Sequence, residues 1–236
     1  MKKTRIAFMA ASVITWSMTT VFAQEGQEGK EDPSAKPATL LMKYKPPMLG
    51  RPTCRIGGGT RGASYKGLSL IALAPEHAAL TAKPQPSLCW YLSTATELNI
   101  ELTINDKKKV SPLLEQSLGK VEKPGISCVN LSAFNITLQP DTEYQWFVAV
   151  VTNPDERSKD IVSGGGIKFV APDRQLADKL GSLQGGALAE DCAENSYWYD
   201  AVETMVNLEK KEPANQMYKA MREDLLQQGC LPRLGD

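Results

Sequence analysis

The most specific fold signal in the sequence is the stretch Leu138-Gln-Pro140-Asp-Thr142-Glu-Tyr144-Gln-Trp146-Phe-Val148. It reads as a proline-containing corner that leads into a strand. Successive side chains of a strand point to opposite faces, so Tyr144, Trp146 and Val148 share one face. We therefore predict a strand over residues 143–151 with an aromatic, buried side.

The same strand pattern recurs on both sides of this stretch. Short β-type runs separated by turn residues fill residues 68–170, at the spacing that is typical of two packed antiparallel sheets. The predicted strands are Leu68–Leu73, Ser87–Leu92, Leu98–Ile104, Val110–Leu118, Ile126–Leu131, Glu143–Val151 and Ile161–Val170. Three consecutive glycines, Gly164 to Gly166, lie inside the last run, where we expect a bulge or a kink.

The corner before Tyr144 resembles the entry to strand F of fibronectin-type-III and related sandwiches. That resemblance implies that the Tyr144 hydroxyl hydrogen-bonds back to the preceding loop, and that Trp90 is a matching inward aromatic. The expected fold class is mainly β with α: an immunoglobulin/fibronectin-III-like β-sandwich followed by a C-terminal helical hairpin. We expect residues 39–171 to form the sandwich domain, with a Gly-rich loop near its start.

After residue 171 the apolar period becomes helical, and residues 172–236 form a predicted helical region packed on the sandwich. Proline at 213 ends one helix, and Gly229 is a typical helix stop. In the final helix Met217, Met221 and Leu225 share the apolar side. The predicted helices are Asp173–Leu183, Ala187–Ala193, Tyr199–Lys211 and Ala214–Gln228.

The N-terminus is typical of an export signal. Lys2, Lys3 and Arg5 precede an apolar run, and small residues at 21 and 23 indicate cleavage after residue 23. The alternative is a membrane anchor, but the apolar run is interrupted before spanning length. We predict a signal peptide over residues 1–23, a flexible polar linker over 24–38 and a periplasmic mature protein without a membrane span, with secretion beyond the envelope as the alternative.

Overall composition is that of an ordinary globular protein. The 27 basic residues balance 27 acidic ones, hydrophobic residues make up 42% and charged residues 23% of the chain. A general nucleic-acid binder needs a basic excess, so we expect no nucleic-acid partner. His77 is the one histidine of the whole sequence, which excludes histidine-cluster metal sites. We expect it in a surface loop.

The five cysteines favour disulfides, since the predicted compartment is oxidising. None of them forms a Cys-x-x-Cys pair, which argues against zinc-ribbon and thioredoxin-like sites. Cys89 and Cys128 are placed to bridge neighbouring strands, and Cys192 and Cys230 could clip the helical region together. Cys54 would then be free. Other pairings remain open.

Two segments are candidate binding sites. Residues 50–62 form the Gly-Arg loop, in which backbone N–H groups and guanidinium groups could hold an anion; its candidate residues are Arg55, Gly57, Gly58, Gly59, Thr60 and Arg61. This loop lacks the ending of a P-loop, and its alternative is a tight turn packed on the sandwich. The second candidate is the helix start Trp198, Tyr199 and Asp200. Three aromatics in a row predict that one ring is exposed, unless Trp198 and Tyr199 wedge the helix onto the sheet.

Six pieces of the sequence together resemble an uncharacterised bacterial exported family, domain of unknown function number 928. The pieces are Tyr44–Pro47, Gly57–Gly62, Leu70–Pro75, Trp90–Tyr91, Leu138–Trp146 and Trp198–Ala201, and the likeness spans about residues 43–230. The resemblance implies an envelope protein without known activity or catalytic residues. The cysteines depart from the family pattern.

No catalytic motif is present. The acidic residues Glu190, Asp191 and Glu194 fit a solvated helix face, and no nucleophile elbow occurs. We expect neither cofactor nor metal. The expected function is non-enzymatic: a periplasmic binding or assembly module whose partner is an unknown envelope protein or ligand. The alternatives are a carboxylate-based glycan or small-molecule hydrolase and an anion sensor that uses the Gly-Arg loop.

Overall fold

A computed structural model describes residues 42–47 and 67–235 of the chain. In this part the strands are β1 (Leu70–Ala72), β2 (Ala79–Thr81), β3 (Ser87–Leu92), β4 (Thr96–Asp106), β5 (Leu114–Val121), β6 (Gly125–Asn130), β7 (Glu143–Val151) and β8 (Ile161–Phe169). The helices are α1 (Arg174–Ser182), α2 (Gly185–Glu194), α3 (Trp198–Lys211) and α4 (Gln216–Gln228). The protein is therefore mainly β with α, as the sequence predicts. The predicted signal peptide, the linker and the Gly-Arg loop lie outside the described residues.

The eight strands form two sheets. One has the order β1-β3-β6 and the other the order β2-β8-β7-β4-β5. β2 is the strand that the sequence pattern missed, because three residues are too few to show alternation. It pairs in parallel with β8, so the expectation of purely antiparallel sheets is wrong at this edge.

β3 is buried on both faces, which makes it the centre of the fold. Leu88, Trp90 and Leu92 on one face belong to the hydrophobic core. The other face lies under α3, where the Ser87 hydroxyl donates a hydrogen bond of 2.5 Å to Glu203. A continuous apolar strand of this kind is typical of a layer covered on both sides.

The corner before β7 has the hydrogen bond that the resemblance implies. The backbone N–H of Gln139 donates to the Tyr144 hydroxyl at 3.2 Å. Tyr144 and Trp146 are buried, as is Trp90 on β3. These three aromatics confirm the predicted inward faces of β3 and β7.

The glycines of β8 allow close packing and do not form a bulge. Gly164, Gly165 and Gly166 pair in unbroken register with β7. A Cβ on Gly165 would lie 2.3 Å from the Cβ of Ala74, and one on Gly166 would lie 2.9 Å from the Cα of Ala78. The expectation of a kink is therefore wrong: the side chains are missing because another segment crosses the strand there.

The helices begin and end close to the predicted positions. Asp173 caps α1 by accepting a hydrogen bond of 2.8 Å from the N–H of Leu176. α4 ends before Gly229, but the left-handed residue that follows it is Cys230, with φ of 63°. Met217 was expected on the buried side of α4 and is 55% exposed. Val110 was expected in a strand and lies in an exposed loop before β5.

Residues 42–47 form an extended segment, the N-terminal strap, that docks on α4. The N–H of Met42 donates to the Asp224 carboxylate at 2.7 Å. The Gln228 side chain both accepts from the N–H of Tyr44 and donates to the carbonyl of Met42, each at 2.8 Å. Met42 and Tyr44 are consequently buried.

Candidate functional site

An apolar cleft of about 470 Å³ lies between α3, the start of α4 and one end of the three-stranded sheet. We call it the α3 cleft. A volume in this range is sufficient for a large side chain or a small ligand. The described residues that line it are Tyr91, Gly125, Ile126, Val206, Glu209, Lys210, Pro213, Lys219, Arg222, Leu234 and Gly235.

The periodicity of the strands and of α3 explains which side chains face the α3 cleft. Tyr91 lies on the same face of β3 as Ser87, and its register partner on β6 is Ile126. Val206 lies one turn after Glu203 on the side of α3 that covers β3. The C-terminal residues close one end, where the Tyr91 hydroxyl donates to the carbonyl of Gly235 at 3.3 Å.

Arg222 is a buried, ion-paired residue beside the cleft. The Arg222 side chain is only 5% exposed. Its guanidinium donates to both carboxylate oxygens of Glu209, at 2.6 and 3.2 Å, and to Glu223 at 3.1 Å. Such a bidentate pair fixes α4 against α3, because each ion would be costly to bury alone. Lys210 and Lys219 complete the rim, which therefore carries both signs of charge.

The α3 cleft is suited to binding and lacks a constellation for catalysis among the described residues. Glu209 supplies its one described carboxyl group, and Arg222 holds that group. Carboxylate-based hydrolysis needs two carboxyl groups that face one bond. Within residues 42–47 and 67–235, no cluster of three or more His, Cys, Asp or Glu side chains could hold a metal ion.

The aromatic start of α3 is buried, so the expectation of an exposed ring is wrong. Tyr197, Trp198 and Tyr199 are at most 4% exposed. The indole N–H of Trp198 donates to the carbonyl of Leu73 at 2.9 Å. The Tyr199 hydroxyl donates to the carbonyl of Gly166 at 2.8 Å. The alternative interpretation, in which Trp198 and Tyr199 wedge α3 onto the sheet, agrees with these contacts.

Asp200 is likewise an internal group. Its carboxylate accepts a hydrogen bond of 2.9 Å from the N–H of Ala82, and Lys83 lies 3.9 Å away. Burial raises the pKa of Asp200 above its ordinary value, although the bond from Ala82 opposes the shift. The residue therefore anchors α3 to the segment after β2.

His77 is half-buried and hydrogen-bonded, whereas a surface loop position was expected. Its Nε2 lies 2.8 Å from the Tyr44 hydroxyl of the strap, and the two rings stack with centroids 5.9 Å apart. Burial lowers the pKa of His77 and raises that of Tyr44. The neutral imidazole thus acts as a partner of the tyrosine hydroxyl.

One of the two predicted disulfides is confirmed and the other is wrong. Cys89 and Cys128 are joined, as direct register partners of β3 and β6. Cys192 is a free thiol buried in α2, and Cys230 is an exposed, disulfide-bonded residue after α4. Their predicted bridge fails because one side chain points into the core and the other lies at the surface. Cys54 lies outside the described residues.

The predicted anion site cannot be compared with the fold, since Arg55, Arg61 and the residues between them lie outside the described part. The acidic residues of α2 line a second depression of about 550 Å³. There Asp191 is ion-paired with Lys179. Glu190 and Glu194 remain on the helix surface, as predicted.

The residues that build the α3 cleft were missed from the sequence. Arg222 looked like any polar residue of a helix face, because no local signal marks a buried ion pair. Ile126 and Tyr91 carried the strand pattern, which fixes their face but not which helix covers it.

A family model described as Domain of Unknown Function (DUF928) matches residues 56–235. The chain belongs to the DUF928 family. Every described residue of the α3 cleft lies inside the DUF928 match, whereas the N-terminal strap precedes it. No curated protein matches the sequence. None of the described helices of this DUF928 chain is long and apolar enough to cross a membrane.

Proposed function

We propose that the protein is a non-enzymatic binding or assembly module of the cell envelope, and that the α3 cleft receives an apolar side chain of a protein partner. The observation that carries the proposal is the apolar cleft with its rim of mixed charge. Protein interfaces have this anatomy: an apolar centre receives an anchor side chain, and polar groups surround it.

The rim of the α3 cleft carries both signs of charge, which suits the polar contacts that surround the apolar centre of a protein interface. At the α3 cleft, Glu209 and Glu223 offset the charge of Arg222. Lys210 then provides hydrogen-bond donors at the mouth of the cleft, where a partner's carbonyl groups would lie.

The envelope location is part of the same proposal. It is supported by the export-like N-terminus and by the disulfide between Cys89 and Cys128, a bond that persists in oxidising compartments. We also propose that the two sheets form an immunoglobulin/fibronectin-III-like sandwich with a helical hairpin packed on it. The Tyr144 corner and the contact between α3 and α4 support this assignment.

The proposal is tested with a substitution that fills the cleft and leaves the rest of the surface unchanged. Ile126→Trp places a large ring in the cleft, and Val110→Trp adds the same ring to a fully exposed loop position as the control. Wild-type and both variants are crosslinked in host cells, and the captured protein is then purified and its affinity measured directly. We expect capture and affinity to fall about tenfold or more in Ile126→Trp alone.

Equal affinity of all three proteins for the purified partner would show that the cleft is not the binding site. Failure to capture any specific protein with the wild-type chain would remove the assembly function under those growth conditions. Circular dichroism of Ile126→Trp establishes beforehand that the variant folds.

A further inference from the structure

Among the described strands, β6 lies at one edge of the three-stranded sheet and has one unpaired side. It pairs with β3, and no described strand lies beyond it. All six of its residues are half-buried, as expected for a strand that has a neighbouring strand along one edge only. An unpaired strand offers a row of backbone N–H and C=O groups to another chain.

The register tells which backbone groups face outward. Antiparallel pairs alternate between wide, hydrogen-bonded positions and narrow positions whose N–H and C=O groups point away from the partner. Cys89 and Cys128 have their Cα atoms only 4.1 Å apart, which makes them a narrow pair. By alternation, Ile126, Cys128 and Asn130 direct their backbone groups to the open edge of β6.

The other edge strands of the described sheets are protected, and β6 is not. β1 and β2 have three residues each, too few for stable pairing with another chain. β5 carries Glu115 and Lys120, and its register with β4 is irregular. β6 reads Gly-Ile-Ser-Cys-Val-Asn, without a charge or a proline. Charges, bulges and short length are the usual means by which proteins prevent edge pairing.

The open edge and the α3 cleft adjoin each other at Ile126. This residue directs its backbone groups outward and lines the cleft with its side chain. A strand added beside β6 would have side chains on the same face as Ile126, within reach of the cleft. Backbone pairing would supply affinity, and the cleft would select one apolar side chain.

We propose that the partner of this protein binds by β-strand addition: an extended, uncharged segment of another protein pairs with β6 and places an apolar side chain in the α3 cleft. This inference rests on the proposed function and specifies its binding mode. The paired segment is about six residues long, as β6 is, and has no proline at positions that donate to β6. A second copy of this chain and an internal segment of the same chain are the competing occupants.

The experiment uses random peptides displayed on phage and selected against the purified mature chain. Ile126→Pro removes an outward N–H, and Ile126→Ala removes the same side chain but keeps that donor. We expect selected peptides to share an alternating apolar pattern, and to bind Ile126→Pro about tenfold more weakly than Ile126→Ala. Sedimentation of the wild-type chain alone should give a monomer.

Amide exchange in the wild-type chain provides a second readout if Ile126→Pro does not fold. In the free chain the amides of Ile126, Cys128 and Asn130 should exchange faster than those of Ser127 and Val129, and peptide binding should slow them. Protection of the three outward amides in the free monomer would mean that the chain covers its own edge, and a dimer with protected amides would assign the edge to a second copy. Either result overturns the proposal.

The two proposals fail in different ways. Peptides that bind equally to Ile126→Pro and Ile126→Ala, but not to Ile126→Trp, would retain the cleft and refute strand addition. Peptides that bind all three variants equally would refute both.

Discussion

Gly229 lies under the ring of Trp198, and adding a single methyl group there tests the packing of α4. A Cβ at position 229 would lie 2.2 Å from Cη2 of Trp198 and under 3 Å from two further ring atoms. The ring cannot move aside freely, because its N–H is bonded to Leu73 and its edge meets Tyr44 with centroids 4.9 Å apart.

The expected sign of Gly229→Ala follows from two opposed effects. With φ of −82° the backbone at 229 suits alanine, and loss of glycine's freedom in the unfolded chain alone would stabilise by about 0.4–1 kcal/mol. Overpacking against a fixed ring costs about 1–3 kcal/mol. We expect a net loss of about 1–2 kcal/mol in the free energy of unfolding.

Gly181→Ala is the matched control, since the same Cβ in α1 would meet nothing within 4 Å. There alanine should stabilise the helix by up to about 1 kcal/mol. Urea unfolding of both variants, followed by tryptophan fluorescence, gives the two changes. If Gly229→Ala is as stable as wild type while Gly181→Ala gains stability, the Trp198 ring is not fixed as described and the reasoning is wrong.

Three further predictions concern titratable and sulfur groups. Replacing Cys89 and Cys128 by alanine should cost about 4 kcal/mol in urea unfolding, because the bridge closes a loop with a sequence separation of 39; an unchanged midpoint would contradict this. Burial raises the pKa of the Cys192 thiol to about 12, so iodoacetamide at pH 8 should modify it only after unfolding, as peptide mass spectrometry will show. Because the pKa of Asp200 is raised on folding, its contribution to stability is greatest at low pH and declines as pH rises through the folded value. Asp200→Asn should remove that decline from the pH profile of the unfolding free energy. If the variant and the wild-type protein had the same profile, this assignment to Asp200 would be wrong.

The sequence was most informative where side-chain periodicity is strong. β3 and β7 have the predicted bounds, because alternating or continuous apolar residues over six to nine positions leave little choice of register. β2 was missed because its pairing depends on β8, some 90 residues later in the chain, and no local pattern reports such a contact. The Gly164–Gly166 run was misinterpreted for a similar reason: the crowding at Gly165 and Gly166 comes from Ala74 and Ala78, which the sequence cannot place.

The candidate site was harder to predict than the fold. Aromatic residues at the start of α3 attracted attention, yet Trp198 and Tyr199 hydrogen-bond inside the protein. The α3 cleft lies where α3 and α4 meet Tyr91 and Ile126 of the three-stranded sheet. That outcome depends on the docking of helices, which sequence periodicity does not determine. The disulfide between Cys89 and Cys128 was predictable since strand neighbours with facing side chains are few.

The contacts of the N-terminal strap also dictate an order of events during folding. The backbone N–H groups of Met42 and Tyr44 find their hydrogen-bond partners 182 and 184 residues later, in α4. Native pairing of these two backbone groups must therefore wait until the last helix has been synthesised and has docked, and contacts of such long range slow folding. If the chain is exported N-terminus first, as we propose, this delay would keep these contacts unformed until nearly the whole polypeptide has arrived on the far side of the membrane.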